Sequence, residues 1–383
     1  MLDVLIVGGG PVGLYLGCLL AQRSLKFQVL EKRTAPGPHS RAIGIHPPAL
    51  ELLADIGLAS AFLHEGLCIS SGVVRGEGGV LGQLSLKSAS STFPFVLSLP
   101  QQRTETLLEA RLEELAPLTL RRGVTVTALR DLGSHVQVEA QDAGKLVTLE
   151  ARFVVGADGI YSAVRGCAGV AYPGGTYPDT YLMGDFLDTT SVGPVALIYL
   201  LGRGVVECFP LPGGLRRWVV RTDRLRRDAS AADLGRMVLE RTGELLPQGE
   251  CSMLSAFEVG HHAARRMVTG NTVLNTVLIG DAAHQVSPIG GQGMNLGWLD
   301  AAALVGALEQ ALNHPGRRES ALRRFERVRQ RSAKIATWQA ELNMFMGRPV
   351  SAQAQQHREW LVRRLMSRPL QSLLARAYTM RWL

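Results

Sequence analysis

An apolar run from Val4 to Val7 meets Gly8-Gly9-Gly10-Pro11-Val12-Gly13, and a second apolar run ends on Glu31. Few folds accommodate that order, which reads as buried strand, glycine turn, helix, strand and acid. Gly8 permits a tight turn, Gly10 lets backbone approach a phosphate, and Gly13 lets the following helix pack close to the sheet. The helix start, with Pro11 in its first turn, then aims free N–H groups at an anion. Glu31 lies eighteen residues beyond Gly13, where it can accept from ribose hydroxyls. The pattern is that of a dinucleotide site. A membrane span is the rival, because Val4 to Ala21 carries no charge. The clustered glycines, Pro11 and the preceding Asp3 argue instead for buried strand plus buried helix, and no signal-peptide cleavage site follows.

Length and composition narrow the class further. With 383 residues, 46% hydrophobic and 19% charged, the chain suits an α/β enzyme of two to three domain-sized units. Its five cysteines are dispersed and contain no CxxC pair, so reduced thiols in a cytoplasmic protein are expected, with no metal site and no disulfide framework. The net charge of +8 is concentrated after His314, where fifteen Lys or Arg face four Asp or Glu. Leu322, Phe325, Val328, Leu361, Leu365 and Leu373 recur there at helical spacing among arginines such as Arg358, Arg363, Arg364 and Arg376. We read a pair of amphipathic helices packed on the body with a solvated Arg face. Peripheral membrane contact through these basic helices is the alternative. No nucleic-acid module or stacking platform is present in the pattern, and no nucleic-acid partner is expected.

Along the chain, strand, helix and strand lead into a Pro- and Gly-rich loop from Thr34 to Pro48 and a helix from Ala49 to about Leu63. Short strands follow at Val80–Leu86 and Phe95–Leu99, then a helix over Thr104–Ala116. Strand-rich stretches at 181–220 and around Ser252–Val259 enclose a helix over Ala231–Thr242. Thr276–Ile279 then returns to the strand-then-glycine style of the N-terminus, and helices fill the remainder.

Three separated segments carry a resemblance. Gly8 to Glu31, Gly156-Ala157-Asp158-Gly159 through Arg165, and Gly280-Asp281-Ala282-Ala283-His284 through Gly290-Gly291-Gln292-Gly293-Met294-Asn295 together resemble FAD-dependent monooxygenases of the para-hydroxybenzoate hydroxylase type. The resemblance implies a Rossmann-like FAD-binding α/β domain with an inserted β-sheet substrate domain and C-terminal helices. The expected division is 1–72, 98–178 and 265–330 for FAD, 73–97 and 179–264 for substrate, and 331–383 for a helical region. It implies FAD, a transient NADH or NADPH, and O2 carried as a flavin C4a-hydroperoxide to an aromatic, phenolic, polycyclic or quinone-precursor substrate.

By the same resemblance the cofactor contacts are Gly8, Gly10, Pro11, Gly13, Glu31, Lys32, Arg33, Arg41, Gln101, Asp158, Gly280, Asp281, Gly290, Gly291, Gly293, Met294 and Asn295. Arg41, Asp158 and Arg165 are candidates for NAD(P)H, and Pro288 is placed near the flavin edge where oxygen reacts. No side chain serves as a protein nucleophile, and His284 reads as framework. Tyr181, Met183, Tyr199, Phe209 and Trp218 are candidate substrate-wall residues, about two of which are expected to face the pocket, because aromatics on alternating strands are usually core. The absence of a W-x-W-x-I-P segment disfavours halogenases, and the length is expected to exclude the large hydroxylases with an extra thioredoxin-like domain. An isoprenoid or lipid reductase and a non-catalytic flavin-binding protein are the alternatives.

Overall fold

Val4, Leu5 and Ile6 have no exposed surface, so Leu2–Val7 lies inside a sheet covered on both faces. In the computed structural model, which describes residues 1–37, 41–247, 251–270 and 273–382, this strand pairs in parallel with Phe27–Glu31 and with Lys145–Gly156. Leu120–Arg122 continues the sheet beyond Phe27–Glu31, and Thr276–Leu278 continues it beyond Lys145–Gly156, both parallel. Val124–Asp131 and Val136–Asp142 branch off as an antiparallel extension. The helices Pro11–Gln22, Gln101–Leu115 and Gly293–Asn313 pack together against this sheet.

A second, mostly antiparallel sheet has the order His284–Gln285, Cys251–Ala263, Gly174–Leu187, Leu215–Thr222, Val206–Leu211, Val195–Tyr199, Ser71–Gly76 and Gly79–Ser85. One face buries Leu182, Phe186 and Trp218 against Leu234 and Val238 of the helix Ala231–Thr242. The other turns Met183 and Val219 towards Met344 and Val362 of the C-terminal helices. Alternation along each strand thus gives one core face and one face available to a site.

Three local expectations change. The helix expected over Ala49–Leu63 is two helices, Pro47–Asp55 and Ala59–Glu65, because Gly57 adopts φ +77° just past the first and ends it. The loop Thr34–Pro48 contains the short strand Gly44–Ile45, while its residues 38–40 lie outside the described residues. The basic tail forms three helices, Arg318–Met346, Ala352–Leu365 and Arg368–Tyr378, and the Ser351 side chain caps the second by accepting from the Ala354 N–H. Arg358 is not on a solvated face. It is buried and donates to the carbonyls of Met346, Arg348 and Leu201. No helix among the described residues is long and apolar enough to cross a membrane.

Candidate functional site

The ends of the parallel strands and the inner face of the second sheet open on one cavity of about 1380 Å³. Single-ligand pockets usually span ~300–1,000 Å³. This space suits two molecules side by side.

Its nucleotide end is built by glycines with different tasks. Gly8, at φ +112°, turns the chain where any Cβ would collide with the Ala157 carbonyl, and a Cβ on Gly13 would collide with the Gly8 carbonyl. Gly10 faces open space, with no atom within 4 Å of where a Cβ would stand, and lines the cavity. The helix Pro11–Gln22 has no side-chain cap, leaving its first N–H groups for an anion. Gly13 itself does not line the cavity and serves packing.

Glu31 accepts from the Gly9 N–H at 2.7 Å and from the Arg33 main-chain N–H and Nε at 2.9 Å each. Burial alone would raise its carboxyl, but these hydrogen bonds hold it below the ordinary value. Lys32 and Arg33 line the same end. Gln101 lines it too, donating to Glu105 at 2.8 Å. Asp158 divides its carboxylate: Oδ2 accepts from the N–H groups of Ala163 and Val164, whereas Oδ1 is buried without a partner among the described residues.

The segment 280–295 forms the middle of the cavity. Gly280, Asp281, Pro288, Gly290, Gly291, Gly293 and Met294 all line it. Gly290 and Gly291 adopt φ +98° and +67°, and the uncapped start of the helix Gly293–Asn313 follows. Asp281 is ringed by protein yet open to the cavity. Desolvation raises its carboxyl, helped by Asp300 and opposed by His284. His284 holds this loop: its Nε2 is 2.6 Å from Asp300 Oδ2, and Asp300 also accepts from Arg329 Nε and the Gly280 N–H.

Two residues expected to contact ligands have their side chains engaged within the protein. Asn295 is buried outside the cavity lining, its Oδ1 accepting from the His46 N–H and its Nδ2 donating to the carbonyls of Gly44 and Gly291. Arg165 donates to the carbonyls of Ala282 and Ile160 and stacks over Tyr172, so it ties loops together. Arg41 lines the cavity with its guanidinium 4.9 Å from the Phe257 ring centroid.

At the substrate end Met183 and Phe209 line the cavity. Tyr181, Tyr199 and Trp218 do not, being buried against Phe257, against one another and in the sheet core. The opposite wall was missed by the sequence reading. It comes from the C-terminal helices through residues including Leu342, Met346, Val362, Met366 and Tyr378. His46 was also missed: its ring lies 3.2 Å from the Gly290 carbonyl and edge-on to Tyr378, and burial pushes its pKa down to about 4. The Pro47-Pro48 pair that starts a helix immediately after it was the available signal.

A family model described as FAD binding domain matches residues 1–340. The chain belongs to this FAD-binding family. The open groove above Gly10, the two uncapped helix starts and the unpartnered Asp158 oxygen fit such a cofactor. This FAD-binding chain is 34% identical over 308 residues to rifampicin monooxygenase of Streptomyces venezuelae, covering 79% of this chain and 62% of that protein. It is 32% identical over 316 residues to 12-dehydrotetracycline 5-monooxygenase/anhydrotetracycline 6-monooxygenase of Streptomyces rimosus, covering 79% of this chain and 61% of that protein. The chain therefore spans about three fifths of the length of these relatives. The structure of p-nitrophenol 4-monooxygenase from Pseudomonas putida matches with a TM-score of 0.86 at 23% identity, over 98% of this chain and 96% of that one. Anhydrotetracycline hydroxylase from Streptomyces rimosus matches with a TM-score of 0.81 at 28% identity, over 100% and 76%.

Proposed function

We propose that this protein is an FAD-dependent monooxygenase that consumes NADH or NADPH and O2 and inserts one oxygen atom into an aromatic, polycyclic or quinone-precursor substrate. The observation that carries the reading is the single cavity shared by a glycine-built nucleotide groove and an apolar sheet-and-helix chamber. In this reading the parallel sheet holds the cofactor and the second sheet holds the substrate. Relatives named for rifampicin and anhydrotetracycline support a polycyclic aromatic substrate. FAD, when bound, takes electrons from the nicotinamide and activates O2.

The chain's own residues supply the rest. Gly10, Pro11 and the first turn of the helix Pro11–Gln22 receive the pyrophosphate, with Glu31 turned to the ribose. The N–H groups of Gly290 and Gly293, at a helix start whose turn is closed by the Gly291 N–H donating to the Pro288 carbonyl, stabilise negative charge on the ring system, and Asp281 orients the ribityl chain. Arg41 and the free oxygen of Asp158 are assigned to the transient nicotinamide. Pro288 shapes the oxygen-reaction edge. Met183, Phe209, Val219 and the helices opposite exclude water from that edge.

Cytoplasmic location rests on the free state of all five cysteines. Peripheral membrane contact rests on Phe345 and Trp360, which are exposed on the basic C-terminal helices, and liposome co-sedimentation tests it. The activity is tested by NADH and NADPH oxidation with and without O2, across phenols, polycyclic aromatics and prenylated quinone precursors. Oxygen-dependent, substrate-stimulated oxidation with an oxygenated product is expected. Turnover that persists without O2 and gives a reduced product would assign the protein to the reductases instead.

A further inference from the structure

One ionisable group stands alone in the substrate chamber. The register of the second sheet puts Val74, Ile198, Glu207, Val219, Met183 and Ser255 in a single row across five strand pairings. Glu207 is the only charged member of that row, and it lines the cavity beside Phe209, two residues along the same strand. Among the described residues its carboxylate has no hydrogen-bond or ion-pair partner. A carboxylate left alone in an apolar wall is costly and has no role in holding this sheet together. The row needs an apolar side chain there for packing and has a carboxylate instead.

The chamber cation on the adjoining strand, opposite Phe209, is already committed. Arg217 grips Asp185 through two hydrogen bonds of 2.7 and 2.8 Å and donates to the Arg41 carbonyl. It therefore offers no clamp for a substrate carboxylate. Among the described residues the groups on other elements that feel the Glu207 charge are Tyr181 on the strand Gly174–Leu187 and Tyr378 on the last helix. Burial keeps both phenols protonated, Tyr378 being pushed up to about 12, so neither brings a charge.

We propose that Glu207 is the substrate-recognising base of the chamber, selecting aromatic molecules that present a phenolic or enolic hydroxyl and accepting that hydroxyl's proton. The O–H bond breaks, its electron pair stays on the substrate oxygen, and the proton bonds to the Glu207 carboxylate. The resulting phenolate or enolate is electron-rich at the ring carbon positions ortho and para to its oxygen, where an electrophilic oxygen is accepted. Desolvation raises the Glu207 carboxyl to about 7, which places it within reach of an acidic phenol. This inference rests on the reading of the cavity as a substrate chamber and deepens it. It selects neutral hydroxylated aromatics over aromatic carboxylates, which would meet like charge.

The binding arm of the test needs neither reductant nor turnover, and a second arm follows product with NAD(P)H and O2. FAD-loaded wild type and Glu207→Gln are titrated with 2-hydroxyanthraquinone, whose absorption moves to the red on ionisation, and with 2-methoxyanthraquinone. The pH is one at which the free hydroxy compound stays protonated. Wild type is expected to shift the bound hydroxy compound towards its anion spectrum and to prefer it over the ether by roughly tenfold or more, the worth of a hydrogen bond to a charged group. Glu207→Gln, with its flavin spectrum intact, should bind the two compounds alike and give no anion spectrum. An unchanged spectrum and preference in Glu207→Gln would overturn the proposal, as would a wild type that fails to bind or to ionise the probe. Wild type that ionises the probe but yields no oxygenated product keeps this inference and defeats the oxygenase reading; product formation with the variant indistinguishable from wild type does the reverse.

Discussion

Gly10 and Gly13 stand three residues apart and respond to a side chain in opposite ways. Gly10 has φ −83° and open groove where a Cβ would stand, so Gly10→Val is compatible with the backbone and costs only about 1 kcal/mol for a poorer N-cap. The added methyls occupy the space a phosphate needs. FAD affinity should fall roughly ten- to a hundredfold, the worth of one charge-assisted hydrogen bond. Gly13→Ala instead drives a Cβ into the Gly8 carbonyl and should lower the melting temperature of the apoprotein. Flavin-fluorescence titration and apoprotein melting separate the two, and equal melting temperatures would show the assignment to be wrong. His46 offers a pH test. Its folded pKa, about 4, lies below the ordinary 6.5, so the neutral ring stabilises the fold above pH 6.5 and that contribution is lost as pH falls towards 4. The contribution reaches about 3 kcal/mol. Urea midpoints should fall less for His46→Gln than for wild type between pH 7 and 4.5. His284 has the opposite sign, because Asp300 raises its pKa against burial, so the comparison of the two proteins isolates His46.

At the scale of elements, what could be read from the sequence depended on how local the deciding force is. The turn at Gly8 is set by a steric rule acting within a few residues, and so is the capped helix Ala231–Thr242 with Ser230 before it. The wall made by the last three helices depends on contacts to strands more than a hundred residues away, which periodicity does not report. Asn295 and Arg165 looked like ligand residues for the same reason, since their partners lie in distant loops. Arg358 is the sharpest case: amphipathic spacing put it with solvated arginines, yet two backbone carbonyls at a helix junction and a third, of Leu201 beside the second sheet, claim it. Arg358→Met leaves those carbonyls unpaired and should cost about 3 kcal/mol or more. Arg363, half-exposed with Glu359 3.8 Å away, should cost within about 0.5 kcal/mol as Arg363→Ala. Chemical denaturation of the two variants decides it, and comparable losses would return Arg358 to the surface.

Across the whole molecule, the cavity is closed by joining the far end of the chain to the second sheet. That junction centres on Asp179, which is fully buried and accepts from Arg221 on the neighbouring strand and from Arg348 between two C-terminal helices. The paired guanidinium groups outweigh burial and keep the Asp179 carboxyl below its ordinary value. Arg348→Ala removes one of the two cations while Arg221 still pairs the carboxylate, so the fold survives with a loss of about 2 kcal/mol. The helices carrying Leu342, Met346, Val362 and Tyr378 are then less firmly seated over the chamber. The nucleotide groove, built from Gly8 to Glu31 and Gly280 to Gly293, lies elsewhere in the chain and keeps its FAD affinity. With water admitted to the reaction edge, oxidation of NAD(P)H should continue while a larger share of the reducing equivalents appears as hydrogen peroxide and a smaller share as oxygenated product. The ratio of product to NAD(P)H consumed measures this directly. A variant that loses stability but keeps the wild-type ratio would show that the C-terminal helices cover the chamber without sealing it.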